Sequence, residues 1–218
     1  MRKVGDKIIY DSTGEMIDPS HTALVVWDVQ NMLVNRIFNR EEFTNNLNSV
    51  INLARRVNVP IFFTRIQMLP KRFESPARVY TLSKLGFDRT SQTASKKDLD
   101  FTIKPNQLDQ LQQQQEEEQK HQQSELVIDK HTASIFIDTA FEHMLQNAGI
   151  ITVIFTGIAT EFGVESSARD ALNRGFYSVV VSDCVSSSDK EAHNRSIENM
   201  KKLITITSSK EIENSWSK

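Results

Sequence analysis

Six short runs of β-branched and aromatic residues recur along the chain with little polar alternation. They cover residues 23–27, 59–64, 126–128, 151–155, 178–181 and 203–206. Near-continuous apolar strands of this kind are typical of a parallel sheet that is covered on both faces. Between them, apolar residues recur at helical spacing over 43–54, 164–172 and 197–201. This alternation predicts an α/β fold, with right-handed crossovers and helices on both faces of the sheet.

In open sheets of this type, ligands bind beyond the carboxyl ends of the strands. Asp28, Lys130 and the turn 156–163 all follow predicted strands and should meet at that edge. An acid beside a lysine there gives a proton donor or acceptor, and N–H groups at the start of a helix can hold an oxyanion. Simpler interpretations stay open: Asp28 caps a helix that begins near Asn31, Lys130 extends to solvent, and the turn is generic.

Two segments interrupt the strand–helix alternation. Residues 65–97 contain no long periodic element and hold eight basic residues against two acidic ones. Such a connection is either a solvated loop or a lid that attracts an anionic substrate. Residues 106–123 are dominated by Gln and Glu, which indicates a helical, mostly exposed insert without chemistry of its own.

Composition excludes several classes of protein. The 26 basic and 28 acidic residues give a net charge of −2, which argues against a nucleic-acid partner. The longest apolar stretch is far shorter than the ~20 residues that span a bilayer, so no membrane role is expected. A single cysteine, Cys184, allows neither an internal disulfide nor a paired-cysteine metal site, and we expect a cytoplasmic protein. We expect residues 1–218 to form one domain.

Three stretches together resemble one known family. They are Trp-Asp-Val-Gln-Asn at 27–31, Lys130 after its apolar strand, and Thr-Gly-Ile-Ala-Thr at 156–160 leading into Val-Glu-Ser-Ser-Ala-Arg-Asp-Ala at 164–171. The combination resembles the isochorismatase-like superfamily, also called the cysteine hydrolases. The resemblance covers most of residues 20–207 and implies a doubly wound sheet of six parallel strands and a homo-oligomer.

The resemblance also implies roles for individual residues. In the family's amidases an Asp, a Lys and a Cys form a triad; Asp28 and Lys130 match the first two, and Gly163 stands at the third position. The peptide bond between Ile158 and Ala159 would be cis. The N–H groups of Ala159 and Gly163 would form the oxyanion hole.

Glycine at position 163 is a departure that affects the mechanism. Amide hydrolysis through a thioester needs a thiolate, which glycine cannot supply. We expect Cys184 to be a buried structural thiol and His193 to stabilise local structure. Residues 64–70 lack the Asp and His ligands of the family's nicotinamidases, and the five histidines show no ligand spacing. The sequence therefore predicts no metal and no cofactor.

Three functional hypotheses follow. The first is a metal-independent hydrolase of a small anionic molecule, such as the vinyl ether isochorismate, with Asp28 as general acid. Lys130 would orient the substrate carboxylates, with Arg65 and Gln67 as the first candidates for binding them. The second is a catalytically silent member that binds a small molecule or acts as an oligomeric scaffold. The third is an amidase with a displaced nucleophile, for which Cys184 is the candidate.

Overall fold

A computed structural model describes residues 1–67, 69–84, 96–106 and 125–217 of the chain. Six parallel strands form one sheet in the order β5-β4-β3-β6-β7-β8. Their bounds are β3 Thr22–Trp27, β4 Ile61–Ile66, β5 Glu125–Lys130, β6 Thr152–Ile158, β7 Tyr177–Ser186 and β8 Thr205–Thr207. A separate antiparallel hairpin precedes them, formed by β1 Arg2–Val4 and β2 Lys7–Ile9. The predicted α/β class is confirmed.

Nine α-helices lie in the described part of the chain. They are α1 Thr13–Met16, α2 Asn31–Val34, α3 Arg40–Arg56, α4 Pro76–Lys84, α5 Lys96–Leu99, α6 Phe141–Asn147, α7 Glu165–Asn173, α8 Lys190–Met200 and α9 Ser209–Trp216. One π-helical turn, Thr160–Val164, joins β6 to α7. None of the described helices has both the length and the apolar character that crossing a membrane requires.

The helical spacing in the sequence reflects burial against the sheet. Helix α3 buries Phe43, Leu47, Val50, Ile51, Leu53 and Ala54, which include the residues that predicted it. Its first turn carries two acidic residues and its last turn two basic ones, and both sets interact favourably with the helix dipole. The predicted helices at 164–172 and 197–201 correspond to α7, preceded by its π-helical turn, and to the end of α8.

Side chains from the two faces of the sheet form two apolar clusters. One contains Leu24, Val26 and Phe63 together with side chains from α3 and α9. The other contains Ala23, Val25 and Trp27 together with side chains from α6, α7 and α8. Burial on both faces explains why the strands contain so few polar residues. Trp27 brings the second cluster to the carboxyl edge of the sheet.

The expectation that residues 65–97 hold no long periodic element is wrong in the middle of the segment. Helix α4 spans nine residues there. The Ser75 hydroxyl accepts a hydrogen bond from the Arg78 N–H at 3.1 Å, and Pro76 occupies the first helical position. An ion pair joins Glu74 to Arg78 four residues later. The Ser-Pro pair is the signal that could have predicted this helix. The Gln/Glu-rich insert, beyond Asn106, lies outside the described residues.

Candidate active site

The structure brings Asp28 and Lys130 into direct contact at the carboxyl edge of the sheet. Asp28 directly follows β3, Lys130 ends β5, and the lysine Nζ lies 2.7 Å from the aspartate Oδ2. The two residues are 3% and 4% exposed. Asp28 therefore does not cap α2, which has no side-chain cap, and Lys130 does not extend to solvent. Both simpler interpretations of these residues are wrong.

Thr64 from β4, which lies between β3 and β5, completes this contact. Its hydroxyl donates to Asp28 Oδ1 at 2.6 Å and accepts from the Asp28 N–H at 2.9 Å. Asp28 has a φ of 47°, in the left-handed region. By strand alternation, Asp28 would lie on the same face as Val26, whereas Thr64 and Lys130 lie on the other. The left-handed turn brings the carboxylate across to them.

Burial shifts both charged groups toward their neutral forms. It raises the pKa of Asp28 above its ordinary value, although the charge of Lys130 and the two hydrogen bonds act in the opposite direction. Burial likewise lowers the pKa of Lys130, and the attraction of Asp28 offsets only part of this. A carboxyl group whose proton is held more tightly than usual is suited to general acid chemistry.

The indole of Trp27 approaches both Lys130 and Gly163. Lys130 Nζ is 4.0 Å from the centroid of the Trp27 ring, a cation–π contact. Gly163 lies in the π-helical turn, and a Cβ atom added there would stand 1.9 Å from Trp27 Nε1. Sequence reasoning did not assign Trp27 a role. The sequence signal that could have pointed to Trp27 is a large aromatic residue directly before Asp28, in a chain that has glycine at residue 163.

The turn after β6 contacts a side chain of α8. The Ile158–Ala159 peptide bond is cis, as the resemblance implies. The Thr160 hydroxyl lies 2.8 Å from His193 Nδ1, so His193 stabilises this turn as expected. Burial lowers the pKa of His193, which favours its neutral form. The oxyanion hole at Ala159 and Gly163 stays a prediction.

Helix α7 connects this turn to the loop that follows Lys130. The Ser167 hydroxyl donates to the Gly163 carbonyl at 2.7 Å and accepts from the Ile135 N–H at 3.3 Å. Asp170 accepts a hydrogen bond from the Ser134 hydroxyl. The run 164–171, which carried much of the resemblance, thus positions the backbone on both sides of the candidate site.

The segment Asp28–Asn31 anchors a second stretch of chain beside the site. Gln30 Nε2 donates to the Leu99 carbonyl at 2.7 Å, and Asn31 Nδ2 donates to the Lys97 carbonyl at 2.9 Å. These amides are already hydrogen-bonded to the protein backbone. Their role is to hold α5 against the motif that contains Asp28.

The side chains of Arg65 and Gln67, the two residues predicted to bind substrate, make no contact with the side chains of Asp28 or Lys130 among the hydrogen bonds of the described residues. Arg65 makes two hydrogen bonds to Asp129, at 2.6 and 2.8 Å. Because side chains alternate along a strand, Arg65 points to the face opposite Thr64. Gln67 is exposed, and its backbone carbonyl oxygen lies 2.8 Å from His131 Nδ1. We therefore do not include Arg65 in the site, and the role of Gln67 stays a prediction.

Arg78 on α4 is a basic residue of segment 65–97 that acts on the site. Its charge contributes to lowering the pKa of Lys130. Its Nε lies 3.3 Å from Glu74 Oε2, and the Glu74 side chain is only 2% exposed. The sequence identified the excess of basic residues, but only the fold selects Arg78 among them.

Cys184 is fully buried on β7, which confirms the expectation of a buried thiol. Burial raises its pKa, the opposite of what a nucleophilic cysteine requires. Within the described residues, no three His, Cys, Asp or Glu side chains are grouped so that they could hold a metal ion.

Comparison with known proteins identifies the family. The isochorismatase domain matches residues 22–211. The YecD isochorismatase family protein of Escherichia coli O157:H7 is 40% identical over 34% of this chain, and the chain spans only 39% of that relative. Nicotinamidase 3 of Arabidopsis thaliana is 26% identical, over 82% of this chain and 79% of its own.

Among solved structures, a cysteine hydrolase from Pseudomonas syringae pv. phaseolicola 1448A superposes with a TM-score of 0.72. It is 16% identical and is matched over 93% of this chain and 95% of its own, a likeness that shows the fold. The family match extends over most of the chain and includes Asp28, Lys130 and Gly163. The chain therefore belongs to the isochorismatase domain family.

Proposed function

We propose that this protein is a hydrolase of a small anionic molecule that works without a protein nucleophile, with Asp28 as proton donor. The observation that carries the proposal is the buried Asp28–Lys130 pair, only 3% and 4% exposed, beside a glycine at residue 163. Burial raises the pKa of Asp28 and so favours a carboxyl group that keeps its proton. Gly163 stands, on the family resemblance, where an amidase has its cysteine.

Vinyl-ether hydrolysis matches these groups. Asp28 would transfer its proton to the terminal carbon of the vinyl group, giving an oxocarbenium ion that water captures as a hemiketal. The hemiketal then collapses, its carbon–oxygen bond breaks, and a ketone and an alcohol leave. For isochorismate the ketone is pyruvate. The proton released from the water restores Asp28, and Lys130 orients a substrate carboxylate.

Anionic substrates suit the charges around the pair. Lys130, paired with Asp28, and Arg78, paired with Glu74, are two cations of this region. The charge of Arg78 makes a small contribution to lowering the pKa of Lys130, and an anionic substrate would be attracted by both cations. We also propose that residues 65–97 form a lid-like segment within a single domain. The reaction at this site would need no metal. Homo-oligomer formation rests on the resemblance alone.

Amide hydrolysis is less well supported, although Nicotinamidase 3 is among the relatives. A thioester route needs a nucleophile, and residue 163 has no side chain. Cys184 is 0% exposed, and burial raises its pKa, so it does not replace the missing thiolate.

The test is pyruvate release from isochorismate by the wild type and by Asp28→Asn. We expect the variant to lose about 10²-fold or more of the rate, because general acid catalysis contributes on that scale. Asp129→Asn is the matched control, since Asp129 is adjacent to Lys130 but pairs with Arg65. Equal rates for the wild type and Asp28→Asn would refute the role of Asp28. Ammonia release from a panel of small amides would instead indicate an amidase.

A catalytically silent binder is the second candidate. The observation that favours it is the low exposure of Trp27, Asp28 and Lys130, at 2%, 3% and 4%. In that case the wild type would release neither pyruvate nor ammonia, yet would bind a small dicarboxylate in calorimetry. Lys130→Met should abolish this binding.

A further inference from the structure

Gly163 is a glycine for a steric reason. Its φ lies outside the left-handed region, so the backbone conformation itself admits any L residue. A Cβ atom at this position would, however, lie 1.9, 2.1 and 2.5 Å from Nε1, Cε2 and Cζ2 of Trp27. These distances are far inside van der Waals contact, and the atoms belong to a rigid ring rather than to the end of a flexible chain. Only glycine is compatible with the observed position of the indole.

The indole is held in this position by its own surroundings. Trp27 is the last residue of β3, is 2% exposed, and pairs in register with Gly157 of β6. Gly157 has a φ of 110°, and a Cβ atom there would stand 2.1 Å from the Trp27 carbonyl oxygen. The backbones therefore approach closely at this point. With Lys130 Nζ 4.0 Å from the ring centroid, the indole has little room to move away from Gly163.

We propose that Trp27 is a specificity-determining residue: its indole occupies the space that a side chain at residue 163 would need. Trp27 and Gly163 then form a complementary pair, and the site is committed to reactions that require no attacking side chain from this turn. The consequence for the reaction rests on the proposed function, whereas the steric pairing of Trp27 with Gly163 does not.

Thermal unfolding of Gly163→Ala, Trp27→Val and the double variant tests the pairing without any turnover. With Trp27 present, Gly163→Ala should lower the melting temperature by about 3 to 10 °C, because the added methyl overpacks the site. With valine at residue 27, the same substitution should leave the melting temperature unchanged or raise it, since alanine favours helical backbone over glycine. Gly14→Ala is the matched control, because its Cβ atom would meet only Ser215 Oγ, at 3.5 Å.

Alkylation by iodoacetamide then tests whether the indole excludes an attacking side chain. In Trp27→Val/Gly163→Cys, the new thiol should be labelled at least about tenfold faster than in Gly163→Cys alone, because the loss of the indole gives the thiol and the reagent space. Peptide mass spectrometry separates this label from any at buried Cys184. A Gly163→Cys protein that folds only when Trp27 is also replaced would support the pairing equally.

Two results would overturn the proposal. An equal loss of melting temperature for Gly163→Ala in both backgrounds would show that the indole does not occupy the space. Equal labelling of both thiols, in folded proteins, would show that it does not exclude a nucleophile. A wild type without pyruvate release would count against the proposed function but would leave the pairing intact.

Discussion

Two ion pairs lie near each other at the carboxyl ends of β3, β4 and β5, on opposite faces of the sheet. Arg65 and Asp129 are joined by two hydrogen bonds, and their side chains are 40% and 37% exposed. Lys130, the next residue along β5, contacts Asp28, and both side chains are 4% exposed. The exposed pair is joined by two hydrogen bonds and the buried pair by one. Yet it is in the buried pair that the pKa of the acid is raised and the pKa of the lysine is lowered.

The difference shows that burial, rather than hydrogen-bond geometry, separates candidate chemistry from surface structure. An exposed pair is screened by water and contributes about 0–1 kcal/mol to stability. A buried pair has to offset the desolvation of two charges, so it is weak evidence for stability and better evidence for a functional constraint.

The largest expected effect is on stability when one partner of the buried pair is removed. At a pH where Asp28 is ionised in the wild type, Lys130→Met should lower the free energy of unfolding by about 3–5 kcal/mol, because the carboxylate is then buried without its cation. Urea denaturation measures this loss. Arg65→Met removes a cation from the exposed pair and is the matched control. A similar small loss for both variants would mean that burial does not distinguish the pairs.

The pH dependence of stability should show the raised pKa of Asp28. The folded protein holds this proton more tightly than the unfolded chain, in which the aspartate pKa is about 3.9. The resulting stability is present below the unfolded value and is lost as the pH rises through the folded pKa. We therefore expect the stability of the wild type relative to Asp28→Asn to fall with rising pH. An increase over the same range would show that Lys130 outweighs burial.

Thr64→Val is expected to move the pH profile of turnover. The Thr64 hydrogen bond lowers the pKa of Asp28, so its loss should raise that pKa further. A general acid loses activity as it deprotonates, so the alkaline limb of the pyruvate-release profile should shift to higher pH. Thr64→Ser, which keeps the hydroxyl, should restore the original limb. A limb unchanged in Thr64→Val would mean that it reports another group.

Strand positions were predictable from the sequence because burial on both faces leaves continuous apolar runs. Asp28 and Lys130 could be placed together because parallel strands end at one edge. Arg65 could not be excluded, since the face it occupies depends on strand alternation and on a partner, Asp129, that lies 64 residues away along the chain. The close approach of the Trp27 indole to Gly163 could not be predicted either, because hydrophobic periodicity does not indicate which side chain packs against a turn.

The smallest effect should come from the exposed pair. Arg65→Ala and Asp129→Ala are each expected to change the free energy of unfolding by about 0–1 kcal/mol, and the double variant should reveal a coupling within that range. Because salt screens exposed charges, the coupling should weaken between low and high ionic strength, as urea denaturation at both would measure. Pyruvate release should not change, since Arg65 points away from Thr64 and the buried pair. A large loss of turnover in Arg65→Ala with unchanged stability would return Arg65 to the substrate site and remove the contrast between the two pairs.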